Sequence, residues 1–161
     1  MENIFAQPGK PMPHGATIVN DGVNFSVFTR NGTSVILDIF QNPEDENPCF
    51  SYTFDPKINR TGDIWHVFLK GLKAGALYLY RVDGPFNPEK GHRNNKNTYL
   101  LDPYAKSFTD CSVFANLPPD YVTPVDKIDI LTGKPHSAKG FPKCVVIDDD
   151  EFDWQGDRPI N

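Results

Sequence analysis

The chain has 161 residues, a formal charge of −5 at pH 7, 15 prolines and 12 glycines, enough for one domain with a substantial core and a tail. The acidic balance provides no basic footprint for nucleic acid or an anionic membrane, and no apolar run approaches the roughly 20 residues that span a bilayer. The proline and glycine content, with 12 phenylalanines and 6 tyrosines, excludes a bundle of long helices and favours strands and turns.

Residues 1–22 carry Pro8, Pro11 and Pro13 before Asn20-Asp21-Gly22, an extended lead-in ending in a turn, with an edge strand expected at Thr17–Val19. The first residues, Met-Glu-Asn-Ile-Phe-Ala-Gln-Pro, show neither the basic n-region nor the apolar h-region of an export signal. With three widely spaced cysteines, Cys49, Cys111 and Cys144, which do not suit a disulfide framework, a cytoplasmic chain is the expectation. Val23–Phe28 alternates apolar and polar residues as a half-buried strand does. Asn31-Gly32 marks a tight turn, and Val35–Phe40 is the next strand, with Val35, Leu37 and Ile39 on one face. Gln41–Asn47 reads as a polar surface loop and Phe50–Phe54 as a short strand.

Two β-rich runs follow, Ile64–Leu69 and Leu77–Val82, separated by the glycine-flanked connector Gly71–Gly75. The pattern predicts a β-hairpin, with Tyr78, Tyr80 and Val82 on one face and Leu77, Leu79 and Arg81 on the other. Trp65 is expected in the core and His66 as a structural histidine. Gly84-Pro85 is expected to stop the second strand. Asn87–Asn97, with four asparagines, reads as a long exposed loop of the partner-facing kind. Asp102-Pro103-Tyr104 returns to the core, and residues 105–114 suit a last strand. From Ala115 on the chain is rich in proline and glycine, with a short apolar strand at Cys144–Ile147. The reading is an all-β sandwich over residues 1–114 and an irregular wrap and linker over 115–161.

The sequence carries no catalytic constellation. The acidic run Asp148–Asp153 fails the calcium-loop pattern, because Phe152 or Trp154 falls where a ligand or the turn glycine is needed. The four histidines lack ligand spacing, no serine sits in a nucleophile elbow, and no glycine-rich loop precedes a helix. No metal and no cofactor is expected. Asp83 and Asp102 sit beside glycine or proline, where turn hydrogen bonding is the ordinary role. Phe86, just past Gly84-Pro85, is the aromatic expected at the surface. Trp154, in the acidic tail, is expected to anchor that tail to a partner or to stand exposed.

The run Gly62-Asp-Ile-Trp-His-Val-Phe-Leu-Lys-Gly-Leu, continuing through Tyr80-Arg-Val-Asp-Gly-Pro85, is followed by Gly91-His-Arg and Leu101-Asp-Pro-Tyr-Ala-Lys106. This combination resembles the N-terminal module of isoamylase-type glycogen and starch debranching enzymes of the α-amylase clan (glycoside hydrolase family 13), a family-48 carbohydrate-binding module. Pro13-His-Gly-Ala-Thr, Asp21–Phe28, Cys144–Ile147 and Phe152–Pro159 resemble other parts of the same module, so the likeness covers nearly the whole chain. It implies an immunoglobulin-like β-sandwich attached to a C-terminal (β/α)8 barrel. Such a barrel takes about 250 residues and carries the carboxylates that hydrolyse α-1,6 branch links, so the chain alone is expected to be inactive. Glycogen-binding relatives use two tryptophans and a lysine; this chain has Leu79 at the lysine position and Phe86 at one tryptophan position. The resemblance implies glycan contact through Phe86, His92 and Arg93, and interdomain contact through Asp102, Tyr104 and Trp154. Three functions stand open at this point: an accessory domain acting through the barrel, an autonomous α-glucan-binding module, and an interaction domain unrelated to sugar.

Overall fold

The computed structural model describes residues 4–109, 137–149 and 155. In chain order the strands are β1 (Phe5–Pro8), β2 (Gly15–Val19), β3 (Gly22–Phe28), β4 (Ser34–Phe40), β5 (Phe50–Thr53), β6 (Arg60–Thr61), β7 (Ile64–Lys70), β8 (Leu77–Asn87), β9 (His92–Leu100), β10 (Ser107–Phe108) and β11 (Cys144–Val145). A 3-10 turn, Pro88–Lys90, joins β8 to β9. Among the described residues the strands form two antiparallel sheets. One runs β1-β7-β3-β2, with β6 also on β7; the other runs β10-β11-β8-β4-β5, with β9 also on β8. Their packing face to face is an immunoglobulin-like β-sandwich.

Alternation places the core. Val23, Phe25 and Val27 of β3 stand opposite Leu69, Val67 and Trp65 of β7. In the other sheet Val35, Leu37 and Ile39 of β4 stand opposite Val82, Tyr80 and Tyr78 of β8. All twelve side chains are buried. Phe25 meets Tyr78 across the sandwich edge to face, with ring centroids 5.0 Å apart. Trp65 is fully buried, and His66 is buried with Nε2 at 2.9 Å from Thr61 Oγ1.

Three local expectations are corrected. The first concerns β7 and β8, which are consecutive but form no hairpin: β7 pairs with β1, β3 and β6, while β8 pairs with β4, β9 and β11. The Gly71–Gly75 connector crosses from one sheet to the other, so the apolar faces of the two strands oppose each other across the core. The second concerns Gly84-Pro85, which does not end β8; the strand runs on to Asn87. Gly84 is required there, because a Cβ would lie 2.7 Å from the Asn31 carbonyl oxygen. The third concerns Asn87–Asn97, which is no loop beyond the 3-10 turn: β9 covers most of it and pairs with β8. Asn95 and Asn97 are buried, and Asn95 Oδ1 accepts from the Asn97 backbone N–H at 2.9 Å, where the β8–β9 register slips. At that slip the Asn95 side-chain oxygen stands in for a ladder partner.

The outer face of the second sheet is covered too. Leu79 is fully buried there. Beside it the Asp38 carboxylate, with no exposed surface, accepts from Arg81 Nε at 2.5 Å and Nη2 at 3.0 Å, and from Ser51 Oγ at 2.5 Å. The Arg81 guanidinium also lies 5.6 Å from the centroid of the Tyr99 ring. Lys143, buried, donates its ammonium to the carbonyls of Pro43 (2.5 Å) and Ala138 (3.0 Å) and sits over the Phe40 ring. It thereby ties residues 137–143 to the loop after β4.

Candidate functional site

The residues singled out for glycan contact come together at the tip of the β8–β9 hairpin. Phe86 stands opposite Arg93, and Asn87 opposite His92. Arg93 is exposed, whereas Phe86 and His92 are half-buried. The tip is held by the turn after β3: Asn31 Nδ2 lies 3.4 Å from His92 Nδ1, and the Thr33 N–H donates to the Asp83 carbonyl at 2.8 Å. Asp83 serves its own turn, accepting from the Gly84 N–H at 3.0 Å, and pairs with Lys96 at 3.7 Å. Leu79, at the position where glycogen-binding relatives carry a lysine, has no surface to offer a sugar.

A second group gathers around Asp102, which is buried. Its Oδ2 accepts from the Tyr78 hydroxyl at 2.8 Å and its Oδ1 from the Tyr104 backbone N–H at 2.8 Å. Its own N–H donates to Cys144 Sγ at 3.3 Å, and burial pushes that thiol up to about 12. Asp102 therefore faces inward and fixes the turn that presents Tyr104. The Tyr104 ring is 49% exposed and packs on His14, ring centroids 4.9 Å apart. Of the two residues, Tyr104 is the one that can touch a partner. Trp154 lies outside the described residues.

Burial raises the Asp102 carboxyl above its ordinary value, although the bonds from the Tyr104 N–H and the Tyr78 hydroxyl pull it down. A raised folded-state value means that the folded domain holds the proton more tightly than the unfolded chain. The stability tied to Asp102 is then complete below the unfolded value of 3.8 and is lost as pH rises through the folded value. Asparagine cannot titrate. The stability of the wild type relative to Asp102→Asn is therefore expected to fall as pH goes from about 3 to about 7. Urea melts of both chains at the two pH values check this, and a gap that widens in favour of the wild type would reject it.

Among the described residues no group of three or more His, Cys, Asp or Glu is placed to hold a metal. Of the acidic run, Asp149 pairs with Lys106. Sequence reasoning missed the Asp38–Arg81 pair and the buried Lys143. The first had a visible signal, an arginine amid the apolar residues of β8. It also missed Phe28, 49% exposed at the end of β3.

Comparison with known proteins follows this geometry. The family model described as carbohydrate-binding module 48 (isoamylase N-terminal domain) matches residues 13–105. Isoamylase 1, chloroplastic, of Arabidopsis thaliana is 39% identical over 166 aligned residues, covering 99% of this chain and 19% of that protein. A glycogen debranching enzyme of Yersinia enterocolitica is 40% identical over 150 residues, covering 93% of this chain and 20% of that protein. The chain thus spans about a fifth of the length of these curated relatives. Among solved structures, the catalytic module of the pneumococcal glycogen-degrading virulence factor SpuA superposes with a TM-score of 0.58 at 15% identity, over 92% of this chain and 18% of that one. The pullulanase SAP of group B Streptococcus, in complex with maltotetraose, gives 0.56 at 18%, over 89% and 15%. These two likenesses speak for the fold alone. The motifs, the sandwich and the match over residues 13–105 make this chain a member of the carbohydrate-binding module 48 family, the isoamylase N-terminal domain.

Proposed function

We propose that the chain is the noncatalytic N-terminal accessory domain of an isoamylase-type debranching enzyme, a family-13 glycoside hydrolase that cleaves α-1,6 branch links in glycogen-like α-glucans. In this reading it packs on the C-terminal catalytic barrel and shapes one rim of the substrate groove. The observation that carries it is the pattern of coverage: nearly all of this chain aligns with about a fifth of each debranching relative. That is the footprint of one module in a larger enzyme.

The face offered to the barrel is the one bearing Tyr104. Met12 is 58% exposed and Phe108 41% exposed close by in the chain, and Tyr104 stands on His14 between the two sheets' ends. Exposed apolar groups of this kind mark surfaces that a partner covers. Trp154 is assigned to the same interface on the sequence alone. The hairpin tip with Phe86, His92 and Arg93 is assigned to the glucan, because it sets an aromatic ring opposite Arg93 and close to the Asn31–His92 contact, beside cationic and amide donors.

Titration calorimetry tests the packing face. This chain is added to the catalytic module of a debranching relative whose own N-terminal domain has been removed. Tyr104→Ala is expected to weaken association by about tenfold, some 1.4 kcal/mol. Equal affinity of variant and wild type would show that the barrel uses another face.

A further inference from the structure

We propose that a cleft at the end of β3 is a glucosyl-binding subsite in which Phe28 is the stacking wall. The inference rests on the α-glucan reading above but places the sugar ring away from Phe86, His92 and Arg93, at the end of β3.

The cleft has a volume of about 310 Å³, and its lining includes Val27, Phe28, Thr29, Tyr80, Asn94 and Leu100. Its size is at the small end of the roughly 300–1,000 Å³ range of ligand sites, and its make-up is theirs as well: apolar walls and a few polar groups that fix orientation. Phe28 and Leu100, 49% and 41% exposed, are the accessible walls. Thr29 and Asn94 supply a hydroxyl and an amide at the rim. The Asn94 amide donates a long, 3.4 Å bond to the Pro85 carbonyl. Tyr80 also lines the cleft; it is 1% exposed, and its hydroxyl has no hydrogen-bond partner among the described residues. That hydroxyl is itself enclosed, so Tyr80 contributes its ring to the cleft and no donor that a ligand can reach.

A pyranose ring answers this arrangement. Its C–H face takes the Phe28 ring, and its hydroxyl edge takes Thr29 and Asn94. Arg30, exposed, has its guanidinium 6.0 Å from the Phe28 ring centroid and pairs with Asp63 at 3.3 Å, a further donor beside the ring. From the cleft, the Asn31–His92 contact leads straight to the hairpin tip. A glucan seated on Phe28 can therefore continue along the tip toward Arg93. A partner polypeptide would have less use for two separated polar groups in so small an opening.

The test is an amide NMR titration of the 161-residue chain with maltoheptaose, run on wild type, Phe28→Ala, Tyr80→Phe and Phe86→Ala. Saturable shifts at Phe28, Thr29, Asn94 and Leu100 are expected. Affinity should fall about tenfold in Phe28→Ala and stay unchanged in Tyr80→Phe, which keeps the buried ring and removes only an enclosed hydroxyl. Shifts centred on Phe86 and Arg93 that Phe28→Ala leaves unchanged would overturn the subsite while leaving glucan binding at the tip in place. Flat spectra at millimolar sugar would overturn both glucan assignments, and the accessory reading would then stand or fall on the Tyr104 experiment. Shifts at the cleft on addition of the catalytic module, without any on addition of sugar, would make it a protein contact and overturn the proposal.

Discussion

An Asp38→Ala chain is expected to be about 3–5 kcal/mol less stable than the wild type, the usual cost of leaving one partner of a buried ion pair alone. The Asp38 side chain has no exposed surface and Arg81 has 15%. The carboxylate accepts two bonds from one guanidinium and a third from Ser51. Without it, Arg81 keeps its charge on a face enclosed by Leu79, Tyr99 and the β4–β5 ladder, and Ser51 loses its acceptor. The sign of the experiment lies in a second variant. Asp38→Ala combined with Arg81→Met removes both charges, and by the same physics it should cost less than Asp38→Ala alone. Urea unfolding of the three chains measures this. A loss below about 1 kcal/mol in the single variant would put the pair in the class of exposed salt bridges and sink the argument.

The pair also shows why part of this structure was legible in the sequence and part was not. Alternation along a strand is local, so β3, β4, β5, β7 and the first half of β8 could be read from their apolar periods, and the inner faces Val35-Leu37-Ile39 and Tyr78-Tyr80-Val82 with them. The choice of partner strand is not local. Ile64–Lys70 and Leu77–Asn87 have the same texture whether they pair in one sheet or face each other across two, and the short glycine-flanked connector permits both. What decides is the competition of β3 for β7 and of β4 for β8. Those pairings put seven residues of each strand in register, and a β7–β8 hairpin would forfeit both.

The polar strand β9 was hidden for a different reason. Three asparagines, a lysine and a histidine carry the composition of a loop, yet ladder pairing with β8 and the inward Asn95 Oδ1, which accepts from the Asn97 N–H, serve the backbone. Composition reports what side chains prefer on average; a hairpin partner changes the alternatives open to them. At the site, the motif residues marked the right regions but not their roles. Asp102 looked like a contact and is a brace, while Tyr104 beside it carries the exposed ring. Phe28 closes a strand whose preceding residues are all buried, and its exposure depends on how the β3 turn meets β9, which no local pattern encodes.

Trp65→Ala is the other large effect expected, again about 3–5 kcal/mol, here from lost burial and the cavity left behind. Trp65 is fully buried in β7, opposite Val27. Its ring neighbours Phe54, with centroids 6.5 Å apart, and lies 4.9 Å from the Arg60 guanidinium. Because β7 is held on both sides by β1, β3 and β6, the backbone has little room to collapse into the void. For a domain whose total stability is about 5–15 kcal/mol, such a loss should lower the melting temperature by roughly 10 °C in a chain of this size. Thermal melts followed by circular dichroism measure it, and Trp65→Phe should recover much of the loss. Trp65 also stands opposite Val27, a wall of the cleft, in the same sheet as Phe28. The void left by Trp65→Ala should therefore loosen the cleft, so that this variant loses glucan affinity together with stability, whereas Phe28→Ala should keep its stability and lose affinity alone. If Trp65→Ala, still folded, binds glucan as the wild type does, then the cleft geometry rests on the β3 turn and the hairpin tip rather than on the core packing beneath it.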